Sequence, residues 1–170
     1  SSDLVYGYET TVGAGLPVIG TLHDLVACGD SISRIEAVLS GTISYIFNNL
    51  RRGMSFSALV LDAKSRGYTE PDPRDDLGAV DIARKTLILA REAGFAIDYE
   101  NIAIQALIPE KLAKAPSVEE FLALLPEADV SIEEKVAAAT SRGKVLRYVA
   151  TITPESAALK LQEYGPESPF

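Results

Sequence analysis

Two prolines one residue apart, Pro71 and Pro73, constrain this chain more than any other feature. Each fixes its own φ, lacks an N–H and pushes the residue before it, Glu70 or Asp72, towards an extended conformation. Regular helix is therefore excluded over residues 67–74. From Asp75 the pattern turns helical, with no glycine or proline between Ala79 and Ala93. Asp75 or Asp76 is the expected N-cap, its carboxylate accepting the free N–H groups of the first turn. A rigid, extended acidic loop must thus run into a helix N-terminus. The whole stretch Gly67–Lys85, GYTEPDPRDDLGAVDIARK, holds one glutamate, four aspartates, two arginines and a lysine.

Four of these groups could meet in one site: Glu70, Asp76, Asp81 and Lys85. Asp81 and Lys85 are neighbours at i, i+4 on the helix. An ammonium held by a carboxylate one turn away is a positioned proton donor. Two further carboxylates suit a substrate amine. The set fits an amino-acid-like substrate whose carbonyl or alkoxide oxygen needs a proton partner. A plainer explanation covers the same pattern. Asp81, Lys85 and Glu92 share one side of the helix, while Val80, Ile82, Ala83, Leu87, Leu89 and Ala90 fill most of the rest. Asp81–Lys85 would then be a surface pair worth roughly a few tenths of a kcal/mol. Periodicity leaves both open.

Composition narrows the function classes. At 170 residues, 47% hydrophobic and 24% charged, the chain can bury a substantial single core. A net charge of −8 argues against binding nucleic acid or an anionic membrane, both of which call for basic patches. One cysteine, Cys28, rules out an internal disulfide framework and fits a reducing cytoplasm. One histidine and one cysteine make a zinc site of the usual kind improbable. No apolar run reaches membrane-spanning length, and SSDLVYGYE has neither the basic nor the apolar region of a leader. The chain begins as if cut from something longer.

Along the chain, Leu4 to Tyr8 reads as a short strand. Gly13, Ala14 and Gly15 suggest a dinucleotide fingerprint, but the third glycine would fall at Val18. Pro17 suits the first turn of a helix over 16–27. Glu9 followed by this turn could bind a hard cation through oxygens, or the turn could simply join strand to helix. His23 lacks a second ligand and reads as structural or exposed. Ile32–Leu39 reads as a strand, and Ser40-Gly41-Thr42 leads into a helix through Leu50. Such a junction exposes N–H groups at a positive helix end, suited to a carboxylate, although a plain N-cap is equally consistent. Tyr45 and Phe47 read as core. Ser55 caps the next helix, with Gly67 just past its end. Gly94 closes the helix that carries Lys85. Tyr99–Ile108 reads as a strand and 109–116 as a loop. Ser117 and Ser131 each open a capping box, and Gly143 stops the second helix. Lys144–Ile152 is the clearest strand, pairing as a hairpin with Ala158–Glu163. The sum is a single α/β domain of the α+β type: a mixed sheet of roughly four to six strands covered on one face by helices.

Three blocks in the same order closely resemble homoserine dehydrogenases: YETTVGAGLPVI at Tyr8–Ile19, LSGTISYIFN at Leu39–Asn48 and GYTEPDPRDDLGAVDIARK. The resemblance runs from about Tyr8 to about Tyr148. Serine in LSGT resembles the branch fused to aspartate kinase. Gly78-Ala79 stands where the family has a small residue followed by glycine, and the extra methyl implies a small local adjustment. The resemblance implies a substrate-binding and dimerisation domain of an NAD(P)-dependent enzyme interconverting L-homoserine and L-aspartate 4-semialdehyde. It implies Lys85 as proton donor, Asp81 as its orienter, and Glu70 and Asp76 on the substrate amine. Tyr68, Gly41 and Thr42 would also touch substrate. A monovalent cation, sodium, would lie on the Glu9 side chain and the carbonyls of Val12, Ala14 and Leu16. A homodimer or higher homo-oligomer is implied as well. The family's nucleotide-binding domain carries GxGxxG, which nothing in this chain supplies. The expectation is an excised domain with no turnover of its own. The rival expectation is a non-catalytic oligomerisation or small-ligand-binding module.

Overall fold

The structure, a computed structural model, describes residues 4–50 and 54–170. The first three residues of the N-terminal segment read above lie outside the described residues. A short helix α1 (Thr10–Gly13) leads to α2 (Val18–Ala27), the strand β1 (Ile35–Ala37) and α3 (Gly41–Asn49). Next come α4 (Phe56–Ser65), α5 (Pro73–Leu77) and α6 (Val80–Glu92). The second half holds β2 (Ile102–Ile104), α7 (Glu110–Ala113), α8 (Val118–Leu124) and α9 (Asp129–Ser141). It closes with the long hairpin β3 (Val145–Thr153) and β4 (Ser156–Tyr164).

The hairpin is the spine of a four-stranded mixed sheet in the order β1-β3-β4-β2. β1 and β4 run antiparallel to β3, and β2 runs parallel to β4. Because side chains alternate along a strand, Leu146, Tyr148, Ala150 and Ile152 point one way, with Ala157 and Leu159 beside them. These residues join the hydrophobic core under α3, α6 and α9. Arg147, Val149, Thr151, Lys160 and Gln162 alternate onto the other face. The expected mixed sheet with helices on one face is what the chain builds. Gln105 fastens the edge: its N–H donates to Leu159 O at 2.8 Å, and its Oε1 accepts the Leu161 N–H at 2.9 Å. The buried Tyr148 hydroxyl donates to Gln105 O at 2.8 Å, and burial pushes this phenol up to about 12.

Several local expectations are corrected. Leu4–Tyr8 is no strand; it pairs with nothing in the sheet, and Leu4, Val5 and Tyr6 are exposed. β1 keeps only the three residues that meet β3. The alternation over Tyr99–Ile108 yields a 3-10 turn at Tyr99–Asn101 and a three-residue β2, since pairing with β4 ends at Leu159. The loop expected at 109–116 contains α7. Ser117 does cap α8, accepting the Glu120 N–H at 3.1 Å. Ser131 caps nothing, because α9 already starts at Asp129 from a preceding 3-10 turn. Asp129 accepts the N–H and hydroxyl of Ser57, both at 2.6 Å, which ties that helix start to α4.

The most consequential correction falls on the acidic stretch. Neither Asp75 nor Asp76 is the N-cap, and Pro73 and Arg74 are helical. Asp72 caps α5, accepting the Arg74 N–H at 2.9 Å, with Pro73 at the first helical position where its missing N–H costs nothing. The helix then breaks. Ala79 is buried at φ 58° and ψ 16°, in the left-handed region, and α6 starts afresh at Val80. That conformation costs an L-residue roughly 1–2 kcal/mol. The adjustment expected of Ala79 is therefore in the backbone and not in space. Gly78 carries the opposite constraint, since a Cβ there would stand 2.9 Å from Arg74 O.

Candidate functional site

The break at Ala79 turns α6 so that its polar side meets the N-terminus of α3 and the acidic loop. Together they enclose an open cleft of about 570 Å³. Glu70, Asp76, Asp81 and Lys85 all line it, as do Gly41, Thr42 and Tyr68. Seven residues separated by up to 44 positions are thus brought to one concavity. The loop is not slack. The Lys64 ammonium donates to Pro71 O, and Arg74 reaches Asp72 Oδ2 at 2.5 Å. Arg74 also donates to Ala115 O and lies 5.8 Å from the Phe121 ring centre. Arg74 beside Asp72 holds that carboxyl below the usual carboxylate range.

Each site group is held in a definite way. Lys85 Nζ lies 2.7 Å from Asp81 Oδ2 and donates to Leu39 O at 3.3 Å. An ammonium has three donors, so one N–H remains for a ligand. Lys85 is half-buried while the Asp81 side chain is 67% exposed. The pair therefore adds little to stability, and its effect is to aim the lysine. Each oxygen of Asp76 accepts one hydrogen bond from within the protein. Its Oδ1 accepts the Thr42 hydroxyl at 2.9 Å and its Oδ2 accepts the Glu70 N–H at 2.8 Å. The Thr42 hydroxyl also lies 2.6 Å from Tyr68 O, so its single proton is shared between two protein acceptors. What Thr42 and Gly41 offer a ligand is the first-turn backbone of α3, whose N-cap Ser40 already serves Ile43 N–H. Among the described residues, Glu70 is the cleft carboxylate with no partner. The cleft thus presents a free carboxylate, an aimed ammonium and a helix N-terminus, which together match an amino acid bearing an oxygen function.

A second concavity adjoins the first. It is lined by Val12, Ala14 and Leu16 and shares Ser40, Gly41 and Lys85 with the cleft. Glu9 stands nearby as a cap, ten residues upstream of its targets. Its two oxygens accept the N–H groups of Ile19 and Gly20, each at 2.7 Å, in the first turn of α2. The expected helix start is corrected accordingly: α2 begins at Val18, with Pro17 just outside it. A turn precedes it, closed by Leu16 N–H to Gly13 O at 3.0 Å, with Ala14 at φ 51° and ψ −115°. Those are type II′ angles, at a position where glycine is normally found. Of the expected cation ligands, Val12, Ala14 and Leu16 line this second concavity, while Glu9 lines a separate one with Ile19, Gly20 and His23. His23 is exposed and pairs with Glu92.

Sequence reading missed one wall of the cleft. Tyr45, expected in the core, packs against it and also lines the cleft. It follows Gly41 by one helical turn on α3, and that i, i+4 spacing is the signal that could have placed it there. Phe47 is buried as expected. The Tyr45 hydroxyl donates to Asp62, and the Tyr68 ring meets the Tyr45 ring edge-on at 5.1 Å. This pairing across α3, α4 and the loop leaves no local trace in sequence.

Comparison with known proteins follows the same lines. The homoserine dehydrogenase family model matches residues 17–170. A chloroplastic bifunctional aspartokinase/homoserine dehydrogenase 2 of Arabidopsis thaliana is 48% identical over 167 residues, covering 97% of this chain and 18% of that protein. A homoserine dehydrogenase of Paracoccidioides brasiliensis is 46% identical, covering 99% of this chain and 48% of that protein. A crystal structure of a Candida auris protein of unknown function superposes with a TM-score of 0.91 at 42% identity, covering 95% of this chain and 47% of that one. The chain therefore spans at most about half the length of these relatives. A match over nine-tenths of its residues, carried by the blocks that build the cleft, makes this chain a member of the homoserine dehydrogenase family.

Proposed function

We propose that this chain is the substrate-binding and dimerisation part of a longer, nicotinamide-dependent enzyme that interconverts L-homoserine and L-aspartate 4-semialdehyde. The observation that carries the reading is the convergence of Glu70, Lys85 and the α3 N-terminus on one cleft. Glu70 holds the substrate ammonium, and Asp76 holds Glu70. The substrate carboxylate lies at the Gly41–Thr42 backbone, where unsatisfied N–H groups favour an anion. The ring of Tyr68 borders the amino-acid backbone. Lys85, aimed by Asp81, gives a proton to the alkoxide oxygen formed as the aldehyde is reduced. A bound NADPH or NADH supplies the hydride to the aldehyde carbon. No glycine-rich phosphate-binding turn occurs among the described residues, so the dinucleotide would be held by other parts of the longer protein. A second copy would pack on the sheet face opposite the helices.

The test uses the chain alone and the complete protein. The chain alone is expected to bind homoserine by calorimetry and to leave NADP unreduced. The complete protein is expected to reduce NADP when homoserine is added, and to sediment as a dimer or larger assembly. Homoserine-independent reduction, or none with either NADP or NAD, would overturn the reading.

The turn around Ala14 supports a sodium ion as a structural partner. One carboxylate with neutral carbonyls is a hard, singly charged donor set. Val12, Ala14 and Leu16 would supply the carbonyls, and the strained Ala14 backbone is the kind of outlier that marks a functional turn. A ligand that binds only the folded state at ten times its Kd adds about 1.4 kcal/mol, or roughly 3–6 °C in Tm for a domain of this size. Replacing sodium with choline at constant ionic strength is expected to lower Tm by that amount. In Glu9→Gln the difference between the two salts is expected to vanish. Equal Tm values for the unsubstituted chain in both salts would remove the ion from the proposal.

A further inference from the structure

The cleft is lined by two aromatic rings, Tyr45 and Tyr68. Tyr45 lines the cleft, yet its hydroxyl donates to Asp62 on α4, which does not line it. The side that Tyr45 shows a ligand is therefore its apolar ring. Arg66, one turn beyond Asp62, donates from Nε to Asp62 Oδ2 at 2.9 Å. Its guanidinium carbon lies 6.0 Å from the centre of the Tyr45 ring. The Tyr68 ring meets Tyr45 edge-on at 5.1 Å, an arrangement aromatic pairs favour. Asp62 is thus the single acceptor on which the phenol and the guanidinium converge. The Tyr45 hydroxyl beside it, helped by Arg66, holds the Asp62 carboxyl below the usual carboxylate range.

We propose that Asp62 is a positioning residue. By fixing Tyr45, and through it Tyr68, it sets an aromatic wall that limits the substrate's carbon chain to the length of homoserine. The inference rests on the functional reading above. The two rings are the aromatic side chains among the polar and charged residues that line the cleft, so they are what the methylenes between the ammonium and the hydroxyl can lie against. A wall anchored through Asp62 resists an extra methylene. A wall released there gives way, and it also grips the shorter substrate less well.

The test is steady-state kinetics of the complete enzyme with homoserine and with 2-amino-5-hydroxypentanoate, which is one methylene longer. A pocket that reads one methylene discriminates by about 10–200-fold. Unsubstituted enzyme is expected to favour homoserine within that range. Tyr45→Phe, which keeps the ring and removes its anchor, is expected to raise the homoserine KM about 5–20-fold with kcat within twofold. The preference for homoserine should shrink by about the same factor. Asp62→Ala should match it, and Asp62→Asn, which keeps an acceptor for the phenol, should recover part of both effects. A purely structural role would lower Tm and leave the substrate preference unchanged. Should Asp62→Ala fail to fold, Tyr45→Phe and Asp62→Asn carry the measurement. If both fold and keep the unsubstituted KM and preference, the wall has no such role. If the unsubstituted enzyme does not act on homoserine, the functional reading falls and this inference falls with it.

Discussion

Lys85→Met in the complete enzyme is expected to lower kcat for aspartate-semialdehyde reduction by about 10²–10⁴-fold, the usual range for loss of a positioned acid. Methionine keeps the length and apolar stem of the side chain and removes its proton. The substrate KM is expected to change far less, because Glu70 and the α3 N-terminus still hold the amino acid. Folding is expected to survive. The partner Asp81 is largely exposed, and exposed pairs contribute at most about 1 kcal/mol. Thermal melts of the variant should stay within a few degrees of the parent. Lys85→Arg should fail nearly as badly, since a guanidinium keeps its charge but does not give up its proton. A methionine variant retaining more than a tenth of the parent kcat would show that the proton comes from elsewhere.

The second large effect is expected at Asp76, and it separates two ways in which this residue could act. In the structure both carboxylate oxygens are taken, one by the Thr42 hydroxyl and one by the Glu70 N–H. Asp76→Ala removes two hydrogen bonds to a charged acceptor, each worth about 1.5–3 kcal/mol. The acidic loop then loses its tie to α3, and Glu70 loses its fixed position. The expected outcome is a 10–100-fold rise in substrate KM, together with a lower denaturation midpoint and faster hydrogen exchange at the Glu70 amide. Asp76→Asn should be milder, because its carbonyl oxygen still accepts the Glu70 N–H while its amide can donate to the Thr42 hydroxyl oxygen, whose own proton turns to Tyr68 O. A direct contact between Asp76 and the substrate amine would raise KM alike but leave amide exchange at Glu70 unchanged. Unaltered exchange in a folded Asp76→Ala protein would thus assign Asp76 to the substrate and not to the loop.

Much of the site was legible because its signals are local. The i, i+4 spacing of Asp81 and Lys85, the Ser40-Gly41-Thr42 junction and the two prolines each speak for their own neighbourhood. The hairpin was equally plain, since alternation over nine-residue strands is hard to mistake. What was not legible depends on partners far along the chain. Glu9 caps α2 across ten residues, and Asp129 serves Ser57 across 72. Tyr45 reads as core until Asp62 is seen to take its hydroxyl. Ser131 has the spacing of a capping box, yet Asp129 starts the helix earlier. Ala79 is the subtlest case. The resemblance marks it as standing in place of a glycine, but only the backbone reveals that the helix stops and restarts there. Leu4–Tyr8 shows the converse, a strand-like pattern with no strand to pair with.

The residues that line the cleft lie on α3, α5, α6 and the segments just before α3 and α5, within one continuous part of the polypeptide. Nothing in that arrangement borrows a side chain from the strands at the far edge of the sheet. Selection acting on which reductant is used, or on what else is joined to the same gene product, can therefore proceed without redrawing the substrate cleft. A family in which one catalytic module appears both alone and fused to a kinase is what such separability permits.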